Sequence, residues 1–207
     1  TGKRHDFQFD YEVGFDDDGR ILGVDMVMMS RCGYSTDYSG PVNDRACLHI
    51  DNCYYIPNLK LISHRCKTNT QSATAFRGFG GPQGMFAIES ILSEIADTLG
   101  KDPLDVRKHN LYRDPAQSGD PQSLTTQYGQ TIEDWQGDQV IAQLEVQSKY
   151  AERRAAVQAF NASTDPPGLW IVNGTLAIHE VLRVTLQSNN VADNGKAVDY
   201  DYMLEAM

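Results

Sequence analysis

Residues 76–84 read Phe-Arg-Gly-Phe-Gly-Gly-Pro-Gln-Gly, one arginine and two phenylalanines set among four glycines. Glycine tolerates positive φ and lets backbone come close to a ligand. Arg77 supplies a planar cation that stays charged, and Phe76 and Phe79 supply flat apolar faces. Such a set suits a loop that cradles a bulky cofactor or an anion. A glycine-rich turn ahead of a helix also arises as plain packing, and the residue types leave both readings open. Arg45, in Asn43-Asp44-Arg45-Ala46, is a second cation of interest, and taken alone it reads as a surface or ion-paired residue.

Other chemistry lacks its spacing. Cys32, Cys47, Cys53 and Cys66 form no C-x-x-C pair, which removes zinc-ribbon, thioredoxin-type and iron–sulfur patterns and leaves free thiols of a reducing cytosol. His5, His49, His64, His109 and His179 show no paired arrangement around a glutamate and read as structural or surface residues. Asp16-Asp17-Asp18-Gly19 lacks the alternating ligands and distal glutamate of a calcium loop and reads as a solvated turn.

The elements that must position these residues follow from periodicity. Phe7, Phe9, Tyr11, Val13 and Phe15 alternate with polar residues, and Leu22, Val24, Met26 and Met28 resume the alternation after the aspartate turn. This predicts a hairpin. Residues 30–44 read as a loop, 46–50 as a short helix or strand, and 55–57 and 59–63 as extended chain leading to the glycine loop. Met85, Ile88, Ile91, Leu92, Ile95 and Leu99 then fall at helical steps between Pro82 and Gly100, with proline at the first turn and glycine at the end. Asp102-Pro103 opens a shorter helix with Leu104, Val106 and Leu111 inward and Arg107-Lys108 near its C-terminal end. Residues 114–130 read as a loop. Residues 131–160 read as helical, with Thr131 and Asp134 as an N-cap pair, a stripe of Ile141, Leu144, Tyr150, Val157 and Phe160, and Gly137 disturbing the first turn. The expected fold is α+β: a β-rich N-terminal part, the glycine loop, then two or three helices. Further on, residues 169–172 read as a strand, 176–186 as an apolar segment of ambiguous period, and the acidic end after Asn189 as disorder-prone.

The blocks Thr1-Gly2-Lys3-Arg4-His5, Asn43-Asp44-Arg45-Ala46-Cys47-Leu48-His49, Asp51-Asn52-Cys53-Tyr54-Tyr55-Ile56-Pro57-Asn58, Cys66-Lys67-Thr68-Asn69-Thr70 and the loop over 75–84 resemble, in order and spacing, the molybdenum-cofactor (molybdopterin-binding) subunit of the xanthine dehydrogenase/aldehyde oxidase family. The resemblance runs from Thr1 to about Asn161. It implies a partial molybdenum-cofactor-binding domain over 1–161 and a non-family tail over 162–207. The opening without Met and the change after Asn161 suggest a fragment with a truncated or chimeric reading frame. The implied activity is that of an oxidoreductase of purine catabolism, hydroxylating hypoxanthine- or xanthine-type purines with water as the oxygen source. The implied cofactor is molybdenum–molybdopterin. 2Fe-2S clusters and FAD are implied on other domains or subunits, with NAD as acceptor. The implied partners are the purine substrate, the iron–sulfur/FAD subunit or domain and the rest of the molybdenum subunit, in the cytoplasm.

Carried over residue by residue, the resemblance implies that Arg45 holds the exocyclic oxygen of the purine and stabilises charge developing on the ring, and that Phe79 stacks on that ring. Phe76, Arg77 and Gly78 are implied to contact the cofactor, Arg77 lying against the molybdenum centre without ligating it. Arg45 favours a purine over an aldehyde, because the aldehyde oxidase branch commonly lacks arginine there. The family's general-base glutamate falls in its C-terminal half, and a second substrate-binding glutamate and a cofactor-contacting glutamine fall upstream of Thr1. Two other readings therefore stand beside the first: a catalytically inert piece acting in assembly or interaction, and an aldehyde oxidase.

Composition sets outer bounds. With 41% hydrophobic and 22% charged residues the chain reads as soluble and globular, and no apolar run approaches the ~18–20 residues of a membrane span. A net charge of −10 without clustered Lys and Arg argues against a nucleic-acid partner. No secretory leader is recognisable, so the sequons at Asn161 and Asn173 carry little weight.

Overall fold

The computed structural model describes residues 2–162 and two strand segments, 181–188 and 198–205. The chain divides into two compact units, Thr1–Asp138 and Gln139–Met207. The first carries the candidate residues.

Its sheet starts as the expected hairpin. β1 (Asp6–Phe15) and β2 (Ile21–Gly33) pair antiparallel from Asp6↔Arg31 to Phe15↔Ile21. The alternation turns Val24, Met26 and Met28 inward. The pairing skips Leu22, so Ile21 takes the inward place and Leu22 stands half exposed. Asp16 closes the turn, its Oδ1 accepting from the N–H groups of Asp18 and Arg20, while Gly19 adopts φ +81.

The loop expected over 30–44 is mostly regular structure. β2 continues to Gly33, and α1 (Ser39–Leu48) begins six residues after it. Gly40 and Pro41 lower the intrinsic helix propensity of this stretch. Pro41 sits in the first turn, where its missing N–H leaves no bond unmade, and tertiary packing supplies the stability that propensity lacks. β3 (Leu59–Lys67) then runs parallel to β2 from Val24↔Leu59 to Gly33↔Lys67, giving the order β1-β2-β3. A parallel neighbour requires a crossover, and α1 provides it. The extended stretch expected over 55–57 forms no strand, and Tyr54 just before it bridges Leu111.

α2 (Gly81–Leu99) matches its period: Ile88, Ile91, Leu92 and Ile95 are 1% exposed or less, each such burial contributing about 1.5–3 kcal/mol. Gly100 ends it at φ +64, with the N–H groups of Gly100 and Lys101 donating to the carbonyls of Asp97 and Ala96. Met85, expected on the same stripe, is exposed. α3 (Pro103–Asn110) is capped by Asp102, whose side chain accepts from the Leu104 N–H. Val106 and Leu111 point inward as expected, and Leu104 is half-buried. The next expected loop contains a one-turn helix, α4 (Pro115–Ser118).

The helix expected over 131–160 is corrected in two respects. Thr131 bridges Thr125 instead of capping a helix, and Trp135, edge-on to Tyr112, donates through Nε1 to Asp138. The helical part starts at Gly137 and breaks at Lys149, which takes φ +51, into α5 (Gly137–Ser148) and α6 (Tyr150–Ala162). Leu144 and Val157 of the expected stripe are about half exposed. In the second unit β4 (Val181–Ser188) pairs antiparallel with β5 (Val198–Glu205), the latter falling within the disorder-prone end. The expected strand over 169–172, His179 and the Asn173 sequon lie outside the described residues. Three strands carrying α1 and α2, followed by short helices, make the fold of the first unit α+β.

Candidate functional site

The site is organised where α1 meets the first turn of α2. A Cβ at Gly80 would lie 2.0 Å from the carbonyl oxygen of Val42, and one at Gly84 2.3 Å from that of Ala46. Both obstacles are backbone. Two of the four loop glycines therefore permit close helix–helix approach, the packing role that the residue types had left open beside ligand binding. Gly78 and Gly80 take φ +87 and +93, and the chain reverses sharply between them.

Phe79 sits at that reversal with φ +51, a left-handed conformation that costs a residue with a Cβ about 1–2 kcal/mol. Such a conformation persists where the surroundings enforce it. Here Phe79 packs against the cluster of Phe7, Met28, Val42 and Ala46, and its ring meets Tyr38 edge-on with centroids 6.1 Å apart. The half-buried ring is a fixed aromatic wall.

Arg45 projects from the last turn of α1 and is exposed. Its Nε lies 3.7 Å from the Cβ position of Gly81, which places the guanidinium beside the start of α2. Among the described residues no hydrogen-bond or ion-pair partner engages it. The Arg45 carbonyl is held separately, 3.0 Å from His49 Nδ1. Arg77 and Gly78 are exposed and Phe76 is 41% exposed, and the Arg77 guanidinium also has no partner among the described residues. The fold thus brings Phe76, Arg77, Gly78 and Phe79 onto one loop and sets Arg45 across the helix junction from it.

Residue types gave no hint of the strap beneath this loop. The Lys3 carbonyl accepts from the Thr74 N–H at 2.8 Å. The Arg4 guanidinium lies 4.2 Å from the Phe76 ring centroid and donates through Nη2 to the Arg77 carbonyl at 2.9 Å. His5, 1% exposed, places Nε2 2.8 Å from Ser39 Oγ, and its carbonyl accepts from Gln83 Nε2. Among the described residues, His5 Nδ1 and Gln83 Oε1 are buried without a hydrogen-bond partner. Burial holds the His5 imidazole below its ordinary pKa, against the opposing charges of Asp37 and Asp6, and burial also lowers that of Arg4. The block Thr1-Gly2-Lys3-Arg4-His5 was visible in the sequence, but nothing in it names its partners.

Behind the site, Glu89 of α2 accepts from Tyr54 Oη at 2.6 Å and Asn52 Nδ2 at 3.1 Å and pairs with Arg107 Nε at 2.7 Å. Burial and this carboxylate push the Tyr54 hydroxyl well above its usual pKa. Arg107 lies in the last turn of α3, as expected, and also ties α3 to α2 through Glu89 and Ser93. Such multiply bonded, partly buried ion pairs are stronger than exposed ones.

Among the described residues no group of three or more His, Cys, Asp or Glu side chains is arranged to hold a metal ion. A metal here would have to arrive with ligands of its own. Two unpartnered guanidinium groups beside exposed loop backbone fit an anionic, hydrogen-bonding organic cofactor. No described helix is long and apolar enough to cross a membrane.

Residues 1–111 match the sequence model of the molybdopterin cofactor-binding domain. Over 161 residues, 78% of this chain, the sequence is 45% identical to a xanthine dehydrogenase of Drosophila subobscura. Over 163 residues, again 78% of the chain, it is 41% identical to a nicotinate hydroxylase of Emericella nidulans. The chain spans only 11% and 12% of the length of those two proteins. Among solved structures, the aldehyde oxidoreductase from Desulfovibrio gigas is similar with a TM-score of 0.65 and 27% identity, covering 97% of this chain and 21% of that one.

Proposed function

Because this chain belongs to the molybdopterin cofactor-binding domain family, we propose that it forms one wall of the substrate pocket, and part of the cofactor site, of a molybdenum hydroxylase oxidising hypoxanthine- or xanthine-type purines with water as the oxygen source. The observation that carries this reading is the unpartnered Arg45 guanidinium at the start of α2, next to the loop bearing Phe79 and Arg77. A guanidinium can donate two parallel hydrogen bonds to an exocyclic oxygen. Held in place before reaction, it lowers the energy of charge developing on the ring. Phe79 stacks on the heterocycle, contributing about 0.5–1.5 kcal/mol and setting its orientation. Phe76, Arg77 and Gly78 face the molybdenum–molybdopterin, with Arg77 against the molybdenum centre. When bound, that group supplies oxygen transfer to carbon and takes up two electrons. 2Fe-2S clusters and FAD on other domains or subunits, with NAD as acceptor, would carry the electrons away, in the cytoplasm.

A second reading is favoured by the same free cation: a carboxylated pyridine would pair with Arg45 through its carboxylate, as the 41% identity to a nicotinate hydroxylase supports. The test is to purify the full polypeptide carrying this segment, measure molybdenum per polypeptide by elemental mass spectrometry, and compare turnover of xanthine, nicotinate and benzaldehyde. A molybdenum-loaded protein that prefers xanthine supports the first reading. Preference for nicotinate or benzaldehyde would reassign the pocket, and protein that never loads molybdenum would overturn the cofactor role.

A further inference from the structure

The loop over 75–79 has little of its own to hold it. Its backbone bonds are local, Phe79 N–H to the Phe76 carbonyl and Gly81 N–H to the Gly78 carbonyl, and residues 75–78 are exposed. Ahead of Phe79, whose ring is held by Tyr38 and the cluster beside α1, what reaches the loop from afar is Arg4. We propose that Arg4 is a positioning residue for the cofactor-facing loop, fixing the Phe76 ring and the Arg77 peptide relative to α1 and α2. This rests on the reading that residues 76–78 face the cofactor.

Three observations converge on Arg4. It contacts two consecutive loop residues by different means, a cation–π contact with Phe76 and a hydrogen bond to the Arg77 carbonyl. No carboxylate pairs with it among the described residues, so these two contacts are what compensates the partial desolvation of its charge. Its neighbours are anchored on both sides: Lys3 by Thr74, and His5 by Ser39 at the start of α1 and Gln83 in the first turn of α2. A guanidinium held by such a strap acts as a bracket. It sets where the Arg77 backbone stands with respect to the helix that carries Arg45. Lysine keeps the charge but loses the planar face and the forked donor geometry.

The test uses the full polypeptide carrying this segment, produced with and without the molybdenum cofactor, as wild type, Arg4→Ala, Arg4→Lys and Phe76→Leu. Amide hydrogen exchange of cofactor-free protein is expected to quicken about tenfold over residues 75–79 in Arg4→Ala, and by a smaller factor in Arg4→Lys and Phe76→Leu. Exchange over 88–96 in α2 stays unchanged, which shows that the variants fold. Molybdenum per polypeptide is expected to fall in the same order. Unchanged loop exchange in both Arg4→Ala and Phe76→Leu overturns the bracket, and so does faster exchange with wild-type molybdenum content. If loading the wild type leaves exchange over 75–79 unaltered, the underlying reading of the loop fails and takes the proposal with it.

Discussion

Phe79 combines an unfavourable backbone conformation with an aromatic ring fixed by Tyr38 and the Val42–Ala46 side of α1. If that ring orients a heterocycle, Phe79→Leu in the full polypeptide raises KM for the heterocycle by about two- to tenfold, the equivalent of losing a stacking contact, with molybdenum content unaltered. Steady-state kinetics beside metal analysis reads both. His5 yields a pH prediction. Burial lowers its pKa in the folded chain, so the unfolded chain binds the proton more tightly. The stability tied to neutral His5 is full above about pH 6.5 and is lost as pH falls through the lower folded-state value. His5→Gln keeps a polar partner for Ser39 and flattens that acid limb, measured by urea unfolding across the range. Arg45, Phe76, Arg77, Gly78 and Phe79 were legible as candidates through the resemblance of their blocks. Arg4, His5 and Gln83 were not, because their bonds join positions 34 to 78 residues apart.

At the scale of elements, the α1–α2 junction depends on glycines that meet backbone. Gly84→Ala would drive a Cβ against the Ala46 carbonyl and is expected to cost about 1–3 kcal/mol, as overpacked cores do. Gly81→Ala meets the His49 side chain at an ordinary 3.4 Å and is expected to be nearly neutral. Urea midpoints of the two variants separate a packing junction from a merely glycine-rich loop. The hairpin and α2 were readable because an alternating or helical period survives in their own residues. α1 was not, since Ser39, Gly40 and Pro41 carry weak local preference and its hold comes from Gly80 and Gly84, far along the chain. The parallel pairing of β2 with β3 likewise depends on the crossover that α1 makes. Lys149 splits α5 from α6 with neither glycine nor proline to announce it.

Over the whole molecule, the α+β class was legible because the period changes from strand-like to helical at the glycine loop. Family membership follows from residues 1–111, and the same unit gathers Arg45 and residues 76–79 at one helix junction. Since the chain spans about a tenth of its curated relatives, the chemistry proposed is that of a larger polypeptide, to which this unit would supply the cation and the aromatic wall. Arg45→Met in that polypeptide is the most direct test of the account. Purine kcat/KM should fall about 100- to 1000-fold, the loss typical of removing one donor from a charge-stabilising site, while molybdenum per polypeptide stays at the wild-type value. Undiminished purine turnover, or a loss of molybdenum equal to the loss of activity, would contradict it.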